Sequence, residues 1–200
     1  MRFRRSVTLI VAIVGVSAGA AMSLKAADDP LASLNRAIQE RFTDVDKNFG
    51  LRRIVIIGDT PHQFRPETVS EFAAVQDLKD EGLQVALYMA GRRVLDREPD
   101  LTTKQPFTVN RRVIFGPIAV TDPAALSALP AAVELIDESR HAFQALQRRE
   151  RYDFEAANWA FSARAVRAAS AECLTCHKGR TVGDPLGVVL YAYRPVSSAQ

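Results

Sequence analysis

The chain has 200 residues, 48% of them hydrophobic and 24% charged, which is enough for one domain with its own core. Its formal charge of +3 comes from the N-terminus: Arg2, Arg4, Arg5 and Lys25 lie in the first 26 residues with no acid among them, so the remainder carries −1. With no Lys/Arg cluster interleaved with aromatics, nucleic acid is excluded as a partner, and two cysteines exclude a multi-bridge disulfide scaffold.

The N-terminus reads as an export signal. Met1-Arg2-Phe3-Arg4-Arg5 is a basic start, and Val7 to Met22 is an almost unbroken apolar run with small residues near its end. That run is short for a membrane span, which needs about 20 apolar residues. Residues 1–26 are therefore expected to be a signal peptide, with cleavage favoured after Ala26 over Ala20 or Ser23. An uncleaved anchor is the alternative, and only then would a membrane be a partner. Either way residues 27–200 are expected to be periplasmic and to form a single domain.

Leu31 to Phe49 predicts a helix, with Leu34, Ile38, Phe42 and Val45 at helical spacing. Arg53 to Ile57 is a short β-branched run closed by Gly58-Asp59-Thr60-Pro61, which is turn chemistry. Pro66-Glu67 is expected to open a second helix, carried by Val69, Phe72, Ala73, Gln76 and Leu78 to Glu81, with Gly82 as its stop. Glu67, Glu71, Asp77 and Asp80 read as its solvated acidic face. Leu83 to Ala90 alternates like a strand, with Leu83, Val85, Leu87 and Met89 on one face. Gly91 predicts a bend before Val94 and Leu95. Phe107 to Val120 is a second strand region that Gly116-Pro117 should interrupt.

Ala131 to Arg149 predicts a long helix with Val133, Ile136, Phe143 and Leu146 on its apolar face. Asn158 to Val166 reads as a strand, Ala171 to His177 as a short helical turn, Gly179 to Gly187 as a loop, and Val188 to Tyr193 as a closing strand. This mixed order predicts an α+β fold: an antiparallel sheet with flanking helices.

The chemistry concentrates in Cys173-Leu174-Thr175-Cys176-His177. A Cys-x-x-Cys-His run is the attachment pattern of c-type haem. Two thiols about one helical turn apart can add to the two vinyl groups of one porphyrin, and the adjacent imidazole can ligate the iron. The expected cofactor is one covalently bound haem c. Other uses of the cysteines fit less well. A zinc site needs about four ligands, and only His62 and His141 remain to supply them. A redox dithiol would want a thioredoxin-like βαβ context, and a disulfide across two residues is strained.

The second axial ligand has three candidates. His62, in a turn after Pro61, comes first, because a loop delivers a ligand easily. Met89 comes second as a thioether donor, against an ordinary core role. His141 falls opposite the apolar face of its helix and reads as a surface residue. Arg111, Arg112, Arg164 and Arg167 are candidates to neutralise the haem propionates, against a solvated role for each. Trp159 and Phe161 fit either a porphyrin edge or the core.

The motif resembles c-type cytochromes in general. The order Cys173-Leu174-Thr175-Cys176-His177, then Gly183-Asp184-Pro185-Leu186-Gly187, then Val188-Val189-Leu190-Tyr191 resembles more closely the single-haem, PAS-like periplasmic domains found alone or on sensor kinases. The resemblance covers about the last 40 residues and implies a PAS-like fold with haem near the C-terminus. The function expected is one-electron transfer to a redox partner protein. The alternative is haem-based sensing of redox state or a diatomic gas through a partner protein. No catalytic motif is present, and peroxidase chemistry would need a distal acid/base that the sequence does not place.

Overall fold

The computed structural model describes residues 29–43, 63–91 and 114–196. The expected signal peptide, the Arg53–Ile57 strand and the bend after Gly91 lie outside the described residues.

Five antiparallel strands form one open sheet in the order β2-β1-β5-β4-β3, flanked by helices, so the fold class is α+β as expected. In chain order the elements are α1 (Ala32–Thr43), α2 (Val69–Asp80), β1 (Leu83–Gly91), β2 (Ile114–Ala119), two 3₁₀ segments (Pro123–Ala128 and Ala132–Leu135), α3 (Ile136–Ala145), β3 (Arg151–Ala156), β4 (Trp159–Arg167), α4 (Cys173–Cys176) and β5 (Pro185–Pro195).

The two central strands are apolar on both faces because both faces are covered. Val85, Leu87, Met89, Val189 and Tyr191 face α1 and α2, where they meet Leu34, Ile38, Val75 and Leu78. Tyr88, Ala90, Val188, Leu190 and Ala192 face the 3₁₀ segments and α3, and meet Leu135, Phe143 and Leu146. Each large side chain removed from water stabilises the fold by about 1.5–3 kcal/mol. Two buried polar groups anchor the irregular segment between β2 and α3: the Tyr88 hydroxyl donates to Pro130 O (2.7 Å) and Trp159 Nε1 to Ala128 O (3.1 Å).

Helix α2 corrects the sequence reading. It begins later than Pro66-Glu67, at the N-cap Thr68, which shares a capping box with Glu71. Its inward positions are Glu71, Ala74, Val75 and Leu78, whereas Val69 is 87% and Phe72 60% exposed. Glu71 belongs to no solvated acidic face. It is fully buried and receives both the Nε and Nη2 of Arg41 from α1. An ion pair, and not an apolar side chain, thus fills the position under α1.

Three further differences have local causes. The helix expected from Ala131 starts as a 3₁₀ turn, which leaves Val133 exposed, and becomes α-helical only at Ile136. Gly116-Pro117 lies inside β2 and does not end it, but it interrupts the pairing as expected: the register with β1 shifts between Leu87, opposite Ile118, and Met89, opposite Phe115, which β2 tolerates at the edge of the sheet. A strand absent from the sequence reading, β3, pairs with β4 through a tight turn at Ala157 and Asn158, both at positive φ.

Candidate functional site

The Cys-x-x-Cys-His run sits in the connection from β4 to β5, at one end of the sheet. Val166 and Gly91 both pair with Gly187 there, and Ala90 pairs with Ile114. The end of β4, the start of β5, the end of β1 and the start of β2 therefore share this edge. The C-terminal half of α1 reaches the same region, where Gln39 Nε2 donates to Ala165 O (3.0 Å).

A hydrogen-bonded neck holds the connection closed. Ala168 N donates to Asp184 O (2.9 Å), and Gly183 N donates to Ala168 O (2.8 Å). The turn above the neck is fixed by Asp184, whose Oδ2 accepts from Thr181 N (2.9 Å). Gly183 has φ +93, a conformation that favours glycine, and its carbonyl accepts from Arg167 Nη1 (3.0 Å). The Gly-Asp pair seen in the sequence thus has a mechanical role: it returns the chain from α4 to β5.

Helix α4 is a single turn that contains both cysteines. Cys173 faces inward and is buried, Cys176 is exposed, and both thiols are free. His177 ends the helix, donating its backbone N–H to Cys173 O (3.2 Å), and is half-buried. Burial opposes ionisation of the Cys173 thiol. Hydrogen bonds from the backbone of Ser170 and Ala169 and from the Ser170 side chain outweigh it, so the thiol lies below the usual cysteine value. Ser170 Oγ stands 3.9 Å from Cys173 Sγ. Ser170 also bonds the exposed Glu172 carboxylate and holds its pKa low. Ser170 was not picked out from the sequence, and Asp184 entered only as part of the Gly183–Gly187 turn of the resemblance, with no contact assigned to it. For Ser170 the signal available was position alone, a hydroxyl residue three before the first cysteine.

The remaining candidates fall in different places. His62 lies outside the described residues; its neighbour Gln63 pairs with Ala119 of β2. Met89 is fully buried among the apolar residues under α1 and α2, which is a packing role. His141 is on the surface of α3, 3.9 Å from Glu138. Arg164 is engaged by Asp29 (2.6 Å) on the α1 side of β4. Arg167 is spent on the carbonyls of Gly183, Leu146 and Arg149. Arg111 and Arg112 lie outside the described residues. Trp159 and Phe161 are core residues; Phe161 stacks on Phe154 at 4.8 Å and Trp159 lies under the Arg194 guanidinium.

Among the described residues, no group of three or more His, Cys, Asp or Glu side chains is arranged to hold a metal ion, so the cysteines are not part of a zinc-type cluster there. No helix of the described residues is long and apolar enough to cross a membrane. No protein-family profile, curated protein or solved structure matches the chain.

Proposed function

We propose that this protein is an exported c-type cytochrome that holds one haem through thioethers at Cys173 and Cys176, with His177 as an axial iron ligand, and that it passes single electrons to a redox partner in the periplasm. The observation that carries this reading is the pair of free thiols on one helical turn with His177 at the end of that turn. The donor set fits the group: two unpaired sulfurs for the porphyrin edge and one imidazole for iron, with no competing metal cluster among the described residues. When bound, haem supplies a reversible ferric–ferrous couple.

The chain's own contribution is positional. Ser170 favours the thiolate of Cys173, the nucleophilic form of the sulfur. The Ala168–Asp184 neck and the Arg167–Gly183 bond restrain the loop that carries His177. A ligand fixed on a restrained loop loses little entropy on coordination and changes geometry little between oxidation states. His62 is the first candidate for the opposite iron position and Met89 the second; burial of Met89 in the core favours His62.

The strand order 2-1-5-4-3 supports a PAS-like reading of the sheet, and with it the second reading, haem-based sensing of redox state or a diatomic gas through a partner. One experiment separates the two. The haem-loaded, exported protein is examined by absorption spectroscopy, oxidised and reduced, with and without CO. Six-coordinate bands unaffected by CO are expected for the carrier, and their loss in His62→Ala would identify the ligand. Five-coordinate ferrous bands that shift with CO would favour sensing. A protein whose mass shows no covalent haem, or loads haem equally after Cys173→Ala/Cys176→Ala, would overturn both.

A further inference from the structure

We propose that the outer edge of β3 is a dimer interface, on which a second copy of this chain lays its own β3 antiparallel across a two-fold axis at Tyr152. The two five-stranded sheets would then run on as one. This goes beyond the proposed haem chemistry and does not depend on it. β3 is the last strand of the sheet, and among the described residues nothing pairs with its outer side. It carries no Pro or Lys, the residues that commonly guard an exposed edge. The other edge is guarded: β2 contains Pro117, and its Ala119 carbonyl accepts from Phe64 N (2.7 Å).

The turn decides which backbone groups β3 offers. Ala157 and Asn158, at φ 50 and φ 63, form a two-residue turn, so Ala156 and Trp159 on either side of it are a hydrogen-bonded pair. Bonded and non-bonded pairs alternate along an antiparallel ladder, which gives the backbone of Phe154 and Tyr152 to β4 as well. Arg151, Asp153 and Glu155 therefore turn their N–H and C=O groups outward. Their side chains are exposed, on the face opposite Tyr152 and Phe154, which pack against the α3 cluster.

An edge that pairs with itself must suit its own reversed sequence. The segment is Arg149-Glu150-Arg151-Tyr152-Asp153-Phe154-Glu155. Centred on Tyr152, it sets Arg151 opposite Asp153 of the second copy and Arg149 opposite Glu155, each twice by symmetry. All four pairs are of opposite sign, which favours a cross-strand neighbour. Moving the axis by one residue would put Arg151 opposite Arg151 or Asp153 opposite Asp153. Within one chain Arg151 Nε already meets Asp153 Oδ2 (3.0 Å), yet the two side chains remain 52% and 45% exposed, with room for a second partner. On the other face Tyr152 meets Tyr152 and extends the aromatic row of Phe161, Phe154 and Tyr152, whose rings lie 4.8 and 6.0 Å apart.

The full chain is examined by sedimentation velocity in reducing buffer, so that no disulfide holds two copies together, with haem content and circular dichroism recorded for every sample. The wild type is expected to pass from monomer to dimer across the micromolar range. Arg151→Glu and Asp153→Arg should each weaken association about ten-fold, since each turns two attractive cross-strand pairs repulsive. An equimolar mixture of the two variants should recover the dimer, because it restores opposite charges across the axis, which no rearrangement within one chain can do. Arg149→Glu mixed with Glu155→Arg makes the same test at exposed residues, should either of the first variants lose its fold. A wild type that stays monomeric, variants that dimerise as strongly as the wild type, or folded variants whose mixture stays monomeric would each overturn the proposal. The haem reading is decided separately, by the haem content.

Discussion

Glu71 shows how a single residue can mislead a periodicity. It reads as part of a solvated acidic face of α2; in the fold it is fully buried under Arg41 of α1, while Val69 and Phe72 are exposed. Burial raises the pKa of a carboxyl group, but hydrogen bonds from Arg41 and from the backbone of Glu67 and Thr68, with the Arg41 charge, hold Glu71 below its ordinary value. Its folded pKa therefore lies below its unfolded one. The stability it contributes is present above the unfolded value, about 4.3, and is lost as pH falls through the folded value. Glu71→Ala is expected to destabilise the domain by roughly 3–5 kcal/mol, because it leaves the Arg41 charge buried without its carboxylate. Thermal melts between pH 7 and pH 3 should show a steeper acid loss in the wild type than in the variant; parallel curves would place the acid lability elsewhere. The cysteines make the opposite point, since their chemistry was readable from spacing alone and their inequality was not. In the haem-free protein, iodoacetamide should label Cys176 about ten-fold faster than Cys173 or more. The Ser170 contacts make Cys173 the better thiolate, but alkylation needs access, and a buried sulfur reacts only after local opening. Peptide mass spectrometry over a time course reads the two rates, and preferential labelling of Cys173 would contradict its burial.

At the scale of elements, strands were legible where alternation or apolar runs were unbroken. β1 was found to within one residue and the centre of β5 as well, because burial on both faces leaves long apolar runs; β5 nevertheless runs from Pro185 to Pro195, past the expected Val188–Tyr193 at both ends and into the segment read as a loop. β3 was missed although Arg151-Tyr152-Asp153-Phe154-Glu155-Ala156 alternates cleanly. Its turn, Ala157-Asn158, lacks the Asn-Gly or Asp-Gly signature, so the hairpin had no punctuation. β2 was obscured by Gly116-Pro117, which reads as a break. Gly116 is required there for packing as well as for backbone conformation: at φ +125, an added Cβ would lie 2.6 Å from Leu87 O of β1. The obstacle is backbone and has no rotamer by which to move aside. Gly116→Ala is expected to cost about 2–3 kcal/mol through backbone strain and loss of the β1–β2 register. Urea denaturation measures it. A change under about 0.5 kcal/mol would mean that the edge strand shifts freely, and that the irregular register at Leu87–Met89 absorbs the methyl group.

For the whole molecule, the sequence predicted the layers but not the relation of the motif to the core. Among the described residues, both faces of the sheet carry clusters of buried side chains, one under α1 and α2 and one under α3, and neither contains Cys173, Cys176 or His177. The motif hangs from the end of the sheet on a neck closed by Ala168, Gly183 and Asp184 and tied to α3 by Arg167. Cys173 is buried but belongs to neither cluster. Haem bound in such a place, as proposed, would add to a domain that already has its own buried clusters. Cys173→Ala/Cys176→Ala, which cannot attach haem, is therefore expected to keep native far-UV circular dichroism and to unfold in one cooperative urea transition. Its stability should fall by about 1–2 kcal/mol, the cost of trimming one buried small side chain. A non-cooperative transition, or strong binding of a dye that reports exposed apolar surface, would mean that the porphyrin is part of the hydrophobic interior. The expected result follows from the placement of the buried residues: the domain's stability resides in the sheet and the helices on its two faces, and its proposed redox chemistry is attached at one end.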